Sequence, residues 1–412
     1  MEKAILVGLD LGNDEFFQEN LEELRSLALA CNIEVLDEIT QKKSVPTPNF
    51  YIGEGRADDL KDLIEELDAN VVIFDDELSP SHIRNLEEKL KVKVIDRTVL
   101  ILDIFARRAK TKEAILQVLL AQSIYMLPRV IGMNKSLSRQ RSGTGSKGPG
   151  EQQLELDRRL LREKISQYKR ELKELVKVRR NQRGKRNKSL IKTVALTGYT
   201  NSGKSTLMNA IIKETDSLHK YETLSKDMLF ATLETKTKKI VLSNNHDFLL
   251  TDTVGFIRKL PHDLIEAFKS TLEEIKEASL ILHVVDLANP NYEHQIQTVE
   301  DILSDIGVKD IPIIYVFNKI DLLSEVPIIS RDNAILISAE SKTNINKLID
   351  LINLNLYKTH TVKMLIPFAD SAIYSDLKEN TNIIKTNYLE NGIEIEANIS
   401  DYFYHKYHNF IN

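Results

Sequence analysis

The sequence predicts a multi-domain α/β protein, and three observations carry that prediction. Short apolar runs alternate with amphipathic helical patterns over residues 3–97 and again over 190–358, as strands and helices of mostly parallel sheets do. Between them the strand pattern disappears and helical periodicity remains. The chain has 412 residues, more than one typical core accommodates, so the regions read as separate domains. The expected division is an N-terminal α/β domain at 1–100, a long antiparallel helical hairpin at 101–189, a second α/β domain at 190–358 and a small α+β C-terminal appendage at 359–412.

In the first region, strands are expected near Ala4 to Leu9, Ile33 to Ile39, Val71 to Phe74 and Val92 to Ile95, with helices near Phe16 to Ala30, Ala57 to Leu67 and Ser79 to Leu90. The piece Ile52-Gly53-Glu54-Gly55-Arg56 opens the second helix. It reads as a tight turn; a single GxG is weak grounds for a phosphate cradle.

The hairpin is read from two periodic stretches. Ile115, Leu119, Gln122 and Met126 recur at helical spacing, and Pro128 is expected to end that helix. Leu161, Ile165, Tyr168, Leu172 and Leu175 alternate steps of four and three, the spacing of a coiled-coil seam. The expected tip is residues 139–150, with four glycines, three basic residues (Arg139, Arg141, Lys147) and no acid. Between Glu151 and Lys192, 15 Lys/Arg stand against 6 Asp/Glu, and Lys177 to Lys192 holds eight bases and no acid. A charge run is often only a solvated helix face. Joined to a glycine-rich basic tip, it suits RNA phosphates. The candidate RNA contacts are Arg139, Arg141, Gly143, Gly145, Lys147, Gly148, Gly150, Arg158, Arg159, Lys177, Arg179, Arg180 and Arg183.

Bulk composition bounds the remaining classes. The net charge is −5 with 28% charged residues, ordinary for a soluble globular chain. Cys31 is the only cysteine, so an intramolecular disulfide and a cysteine-cluster metal site are excluded. The start MEKAILVGLDLGNDE lacks a basic stretch followed by a long apolar one, and no apolar run reaches membrane-spanning length. A monomeric protein of the reducing cytosol, without a membrane span, is expected.

The chemistry lies in the third region. Gly198-Tyr199-Thr200-Asn201-Ser202-Gly203-Lys204-Ser205 follows an apolar strand and opens a helical pattern at Thr206. That is a phosphate-binding loop in its required setting: backbone N–H groups cradle an anion at a helix N-terminus. Lys204 adds a point charge for the outer phosphates, and Ser205 is placed to ligate Mg2+. Asp252-Thr253-Val254-Gly255 follows another apolar run. Asp252 is expected to hold Mg2+ through water, and the Gly255 N–H to sense a γ-phosphate. Asn318-Lys319-Ile320-Asp321 follows a third strand; the Asp321 carboxylate suits the N1–H and exocyclic amine of guanine. Adenine would leave that carboxylate unpaired, a discrimination of order 10⁴. Ser338-Ala339-Glu340 would place backbone against the guanine O6. Phe230, Ala231, Thr232, Leu233 and Glu234 form the expected first switch, with Thr232 a second Mg2+ ligand while the γ-phosphate is present. Together these describe a Ras-like P-loop GTPase domain binding GTP and GDP, with Lys204, Thr232 and Gly255 as its candidate catalytic groups.

Phe256 departs from the Ras pattern, which has a Gln there to orient the attacking water. A phenyl ring cannot do so; slow intrinsic hydrolysis completed by a partner is one consequence, and another group positioning the water is the alternative. Arg258, Lys259 and His262 are nearby polar side chains whose ordinary reading is solvent exposure. Asn201 stands where some GTPases hold a monovalent cation, making K+ a candidate cofactor. His283 reads as a core histidine.

The runs GYTNSGKST, FATLE, DTVGF and NKID, with DRTVLILDIFARRAKT, LQVLLAQSIYMLPR and GTGSKGPGEQQLELDRR upstream, resemble the HflX family of bacterial ribosome-binding GTPases. The resemblance covers residues 1 to about 358 and is carried most specifically by the glycine-rich-to-helix run. It implies binding to the 50S ribosomal subunit and its rRNA, the tip reaching toward the peptidyl-transferase region, and dissociation of stalled or idle 70S ribosomes under stress. Lys147, Gln152 and Glu234 depart from the usual Arg, Thr and Asp; only fine contacts of the tip are affected. Other readings of the same residues are a GTP-gated RNA-binding assembly scaffold without splitting activity, and a tRNA-modification or signalling GTPase.

Overall fold

The computed structural model describes residues 2–12, 16–133, 149–186, 191–215, 236–242, 246–259, 275–357 and 359–411. They form two compact units. One runs to Arg183 and also takes the segment that begins at Ile257; the other starts at Gly184 and holds the rest.

The first unit begins with β1 (Glu2–Asp10), α1 (Phe17–Ala30), β2 (Ile33–Lys42), α2 (Glu54–Leu67), β3 (Val71–Phe74), α3 (Pro80–Leu90), β4 (Lys93–Asp96) and α4 (Arg97–Arg108). All four strands are parallel, in the order β2-β1-β3-β4. β1 and β3 lie in the middle, which explains their unbroken apolar runs Ala4 to Val7 and Val71 to Phe74, buried throughout. Ile5, Val7, Val72 and Phe74 pack on Leu60, Ile64, Leu86 and Leu90 from two helices. Local signals set the helix limits. Ser79 Oγ accepts from His82 N–H with Pro80 in the first turn, and Lys91 takes a left-handed conformation at φ 60° after the last. The Gly53 N–H is taken by Gln41 Oε1 at 2.7 Å, so the GxG piece is a turn braced by the neighbouring strand.

Two long helices follow, α5 (Lys112–Met133) and α6 (Pro149–Arg186). The expectation that Pro128 ends the first is corrected: it lies inside α5. An internal proline costs about 3 kcal/mol. Here the next residue, Arg129, ties the helix down, donating to Tyr125 O (2.8 Å) and Leu78 O (2.9 Å). The predicted apolar stripe is also displaced by one position. Ile115 and Met126 are each 42% exposed, whereas Ala114, Val118, Ala121 and Tyr125 are buried. α5 is apolar on several sides, so periodicity alone did not choose its inner face. In α6 the predicted seam holds: Leu172 is buried, and Leu161, Ile165, Tyr168 and Leu175 are half-buried. α6 has 38 residues, about 57 Å at 1.5 Å per residue. The helix starts at Pro149, so Gly150 is helical and not part of a loop.

The second unit holds β5 (Lys192–Gly198), α7 (Lys204–Thr215), β6 (Lys236–Val241), β7 (Asp247–Asp252), β8 (Leu280–Asp286), α8 (Tyr292–Asp305), β9 (Ile313–Asn318), β10 (Ala334–Leu336) and α9 (Ile345–Leu356). Its six-stranded sheet runs β10-β9-β8-β5-β7-β6, parallel except for the edge strand β6. β5 and β8 diverge to opposite halves of the strand order, and nucleotides bind outside the carboxyl ends of strands at such a switch point. The chain ends in a three-stranded antiparallel sheet, β11 (Thr359–Ile366), β13 (Gly392–Ser400) and β12 (Asn382–Leu389), with α10 (Ser371–Asn380) and α11 (Asp401–Lys406). Met364, Ile366, Ile395, Ala397 and Ile399 pack on Leu377 there. This is the expected α+β appendage. No described helix is long and apolar enough to cross a membrane.

Candidate nucleotide site

Every predicted motif in the described part of the second unit falls at the carboxyl end of a strand. β5 ends at Gly198 and α7 begins at Lys204, so Tyr199 to Gly203 form the loop, with Ser205 and Thr206 in the first helical turn. Two glycines are required by geometry. At Gly198 (φ +143°) a Cβ would stand 2.2 Å from Val284 O, and at Gly203 (φ +92°) 2.2 Å from Asn318 Nδ2. Asn201 is left-handed at φ 61° and exposed.

Lys204 is 7% exposed and donates from Nζ to the carbonyls of Gly198 (3.0 Å) and Tyr199 (2.6 Å). Burial pulls its ammonium down to about 8, and the Asp252 carboxylate only partly offsets this. A buried cation held by neutral carbonyls is poised to gain from a phosphate. Thr200 Oγ1 and Ser202 Oγ are buried without a hydrogen-bond partner among the described residues. Buried hydroxyls seldom go unpaired, so this loop fits an anionic ligand.

The residues expected to hold Mg2+ also meet. Ser205 Oγ donates to Asp252 Oδ2 at 2.7 Å, joining the hydroxyl and the carboxylate that the sequence paired. Thr253 Oγ1 donates to Leu196 O at 2.6 Å and fixes the turn after β7; Val254 is buried. A Cβ on Gly255 would stand 2.9 Å from Lys204 Nζ and 3.0 Å from Thr200, so the DxxG glycine lies beside the P-loop lysine. Phe256 continues that contact through its backbone: its N–H donates to Gly198 O (3.1 Å), and its carbonyl accepts from Thr200 N–H (2.7 Å). The ring is 2% exposed, confirming a structural place for the residue that replaces Gln.

Asn318 joins the base-side motifs. Its Nδ2 donates to Ser202 O and its Oδ1 accepts from Ala339 N–H, both at 2.9 Å. Lys319 sits at φ 68° with Nζ on Asp286 Oδ2 at 2.8 Å. Ile320 and Asp321 lie in a short 3-10 turn, with Asp321 exposed. Ser338 is fully buried, and its Oγ accepts from Ser341 N–H at 3.0 Å, holding the turn that presents Ala339 and Glu340.

These geometries agree with sequence comparison. Residues 193–319 match the model described as 50S ribosome-binding GTPase, residues 18–106 that of the GTP-binding GTPase N-terminal region, and residues 108–186 that of the GTP-binding GTPase middle region. The chain is 45% identical to GTPase HflX of Caldanaerobacter subterraneus over 411 residues, which cover 100% of this chain and 94% of that protein. The chain belongs to the HflX GTPase family. GTPase HflX of Escherichia coli is 41% identical over 372 residues, 88% of this chain and 85% of that protein. A GTP-binding protein from Sulfolobus solfataricus, solved with GDP, is 26% identical with a TM-score of 0.44, covering 86% of this chain and 99% of that one. As a member of the HflX family the protein is a GTPase that binds guanine nucleotides.

Several predicted residues fall outside these contacts. Phe230, Ala231, Thr232, Leu233, Glu234 and His262 lie outside the described residues, as do Arg139, Arg141, Gly143, Gly145, Lys147 and Gly148. On α6, Arg159 pairs with Glu163 (2.9 Å) and Lys177 with Glu174 (3.0 Å), while Arg158 is half-buried. The backbones of Arg179, Arg180 and Arg183 are helical, and their side chains lie outside the described residues.

Sequence reasoning missed two groups. Asp286, one residue past an apolar run, holds Lys319 and accepts from Ala288 N–H at 3.1 Å; its place at a strand end was the available signal. The second group surrounds Arg97, 1% exposed. Arg97 pairs with Asp75 (2.8 Å) and Glu23 (2.7 Å). An arginine amid DRTVLILDIF was visible as a charge in an apolar run, with its partners distant in sequence. Arg258 and Lys259 also correct an expectation. Arg258 stacks on Phe16 at 4.8 Å, and Lys259 pairs with Asp75 and Asp76, so neither is simply a solvated side chain.

Proposed function

We propose that the protein is a GTP-dependent ribosome-binding factor that docks on the 50S subunit through rRNA and separates stalled or idle 70S ribosomes under stress. The observation that carries this reading is the pairing of a nucleotide site lacking a water-orienting Gln with a glycine-rich, strongly basic helical segment at 101–189. The site can bind GTP, but its own residues supply no group at position 256 to direct water. A partner must then complete hydrolysis, and the basic segment selects a partner made of RNA. The description of the model that matches residues 193–319, a 50S ribosome-binding GTPase, points to the same partner.

In this reading the P-loop amides from Gly198 to Gly203 and the α7 N-terminus bind the β-phosphate, and Lys204 turns from its backbone carbonyls to the outer phosphates. Ser205, and Asp252 through water, would hold Mg2+, with Thr232 as a further ligand. Bound there, the ion would supply charge neutralisation for phosphoryl transfer. Asp321 orients guanine, Asn318 ties that turn to Ser202, and Lys319 is fixed by Asp286. Gly255 N–H meets the γ-phosphate, and its loss releases the segments around Thr232 and Gly255, which lowers affinity for the 50S subunit. K+ at Asn201 is a further part of the proposal; equal rates in potassium and sodium would remove it. The working boundaries are 1–100, 101–189, 190–358 and 359–412, in a monomeric protein of the cytoplasm, partly on ribosomes.

Light scattering of 70S particles mixed with the protein and GTP tests the splitting step. Loss of scattering that requires GTP is expected. Unchanged 70S particles together with 50S-stimulated turnover would leave an RNA-binding scaffold instead.

A further inference from the structure

Within the second unit, the end of the DxxG loop is pinned to the phosphate loop by main chain. Thr200 N–H donates to Phe256 O (2.7 Å) and Phe256 N–H donates to Gly198 O (3.1 Å), which makes Tyr199 and Phe256 a short parallel bridge. Buried side chains hold that bridge in place. The Phe256 ring and Tyr199 are both buried, so lifting residue 256 wets an aromatic ring besides parting two hydrogen bonds.

The bridge uses groups that a nucleoside triphosphate needs. Thr200 N–H is one of the loop amides, and its bond to Phe256 O withdraws it from any phosphate oxygen. Lys204 Nζ is likewise turned to Gly198 O and Tyr199 O, and Gly198 O is the same carbonyl that receives Phe256 N–H. Three groups on the outer side of the loop are thus satisfied by one another.

Gly255 closes the remaining space. A single carbon added to it would stand 2.9 Å from Lys204 Nζ and 3.0 Å from both Cα and Cγ2 of Thr200. A phosphate oxygen shared by Lys204 and the Gly255 N–H needs about 2.7–2.9 Å to each, with the rest of the phosphoryl group beside it. One carbon already fills this gap, so a phosphoryl group fits only after Gly255 and Phe256 move away. A diphosphate makes no such demand, because it ends one phosphoryl group short of Gly255.

We propose that the bridge between Phe256 and Thr200 is a latch over the γ-phosphate position, left shut by GDP and opened by GTP, so that Phe256 sets discrimination between the two nucleotides. This rests on Gly255 meeting the γ-phosphate in the proposed function. The backbone of residue 256 carries the latch, and its buried ring holds it closed without touching nucleotide. A ring with a merely structural role would affect both nucleotides alike; a latch affects only the one with a third phosphate.

Stopped-flow association of fluorescently labelled GDP and of equally labelled guanosine 5′-(β,γ-imido)triphosphate with the full chain and Mg2+ tests the latch. The observed rate for GDP is expected to rise in proportion to nucleotide concentration, and that for the triphosphate analogue to level off at the rate of opening. Phe256→Leu, which keeps an apolar side chain in the buried place, should raise that plateau roughly fivefold or more and leave GDP association within about twofold. Proportional rates for both nucleotides, a plateau that Phe256→Leu leaves unchanged, or an equal change for both overturns the latch. The comparison of the two nucleotides on the natural chain decides by itself if the variant does not fold. The amide resonance of Gly255, followed by NMR in the two complexes, separates the levels. If the third phosphate leaves it unmoved, the γ-phosphate role of Gly255 is wrong and the latch falls with it; if it moves while the rates show no plateau, only the latch is wrong.

Discussion

The backbone N–H of Thr200 donates to the carbonyl of Phe256 at 2.7 Å, so the phosphate loop and the end of the DxxG loop are joined by main chain. A residue at position 256 is thereby committed to packing, and its ring is buried. Replacing it by the Gln of Ras-like proteins should not create a catalyst. Phe256→Gln is expected to lower stability by about 2–4 kcal/mol, as removing a core aromatic does, and to leave intrinsic single-turnover hydrolysis no faster. Denaturant melts and single-turnover assays measure the two effects; faster hydrolysis in the variant would show that only the missing Gln limits the rate.

Lys204 gives a proton signature for binding. Its ammonium is lowered to about 8 by burial, and a bound phosphate favours the charged form. Nucleotide binding should therefore take up protons above about pH 8, and affinity should fall as pH rises beyond that. Calorimetric titration with GDP at pH 8.5 in buffers of different ionisation enthalpy reads the uptake directly. In the free protein the unfolded chain binds the extra proton between about pH 8 and 10.5, so this residue makes stability rise with pH across that window.

His283 acts in the same direction at the acid end. It is 1% exposed within β8, and burial, then the charges of Arg331 and Lys204, lower its imidazole to about 3. Unfolding lets it pick up a proton below about pH 6.5, so its contribution to stability is present above that pH and is lost toward pH 3. His283→Leu should flatten the pH dependence of stability in this range by up to one proton. Melts between pH 4 and 7 supply the comparison, and an unchanged slope would refute it.

In the proposed reading, base recognition rests on Asp321, exposed on its turn, and on Asn318, which ties that turn to Ser202 and Ala339. Asp321→Asn replaces an acceptor pair by one acceptor and one donor, which suits the 2-carbonyl of xanthine. Selectivity should pass from GTP to XTP, as competition binding would reveal. Asn318→Ala severs the links to Ser202 and Ala339 and leaves a buried carbonyl and amide unpaired. Loss of about 2–4 kcal/mol of GDP affinity is expected, the sum of two such groups.

Much of this was legible because the signals were local. The P-loop, DxxG, NKxD and SAE turns each combine a β-branched or apolar strand with a polar end, and each appears where that pattern placed it. Alternation also located β1 to β4 and the C-terminal hairpin. What failed was long-range or degenerate. Pro128 reads as a helix end until Arg129 is seen bonded to Leu78 and Asp96. The inner face of α5 is ambiguous because Ile115, Leu116, Leu119 and Leu120 give apolar residues on adjacent faces. Asp75, Arg97 and Lys259 are separated by 22 and 162 positions in the sequence, and no periodicity connects them. The three meet only once the chain has folded.

In the proposed function this GTPase lacks one element of its own catalysis and the large ribosomal subunit provides it. GTP turnover by the full chain, measured alone and with purified 50S subunits, decides the matter. Slow turnover alone and strong stimulation by 50S are predicted, weakened when Gly143 to Gly150 are deleted or the charges from Lys177 to Lys188 are reversed. Turnover that is already fast alone, or that 50S subunits leave unchanged, would contradict it.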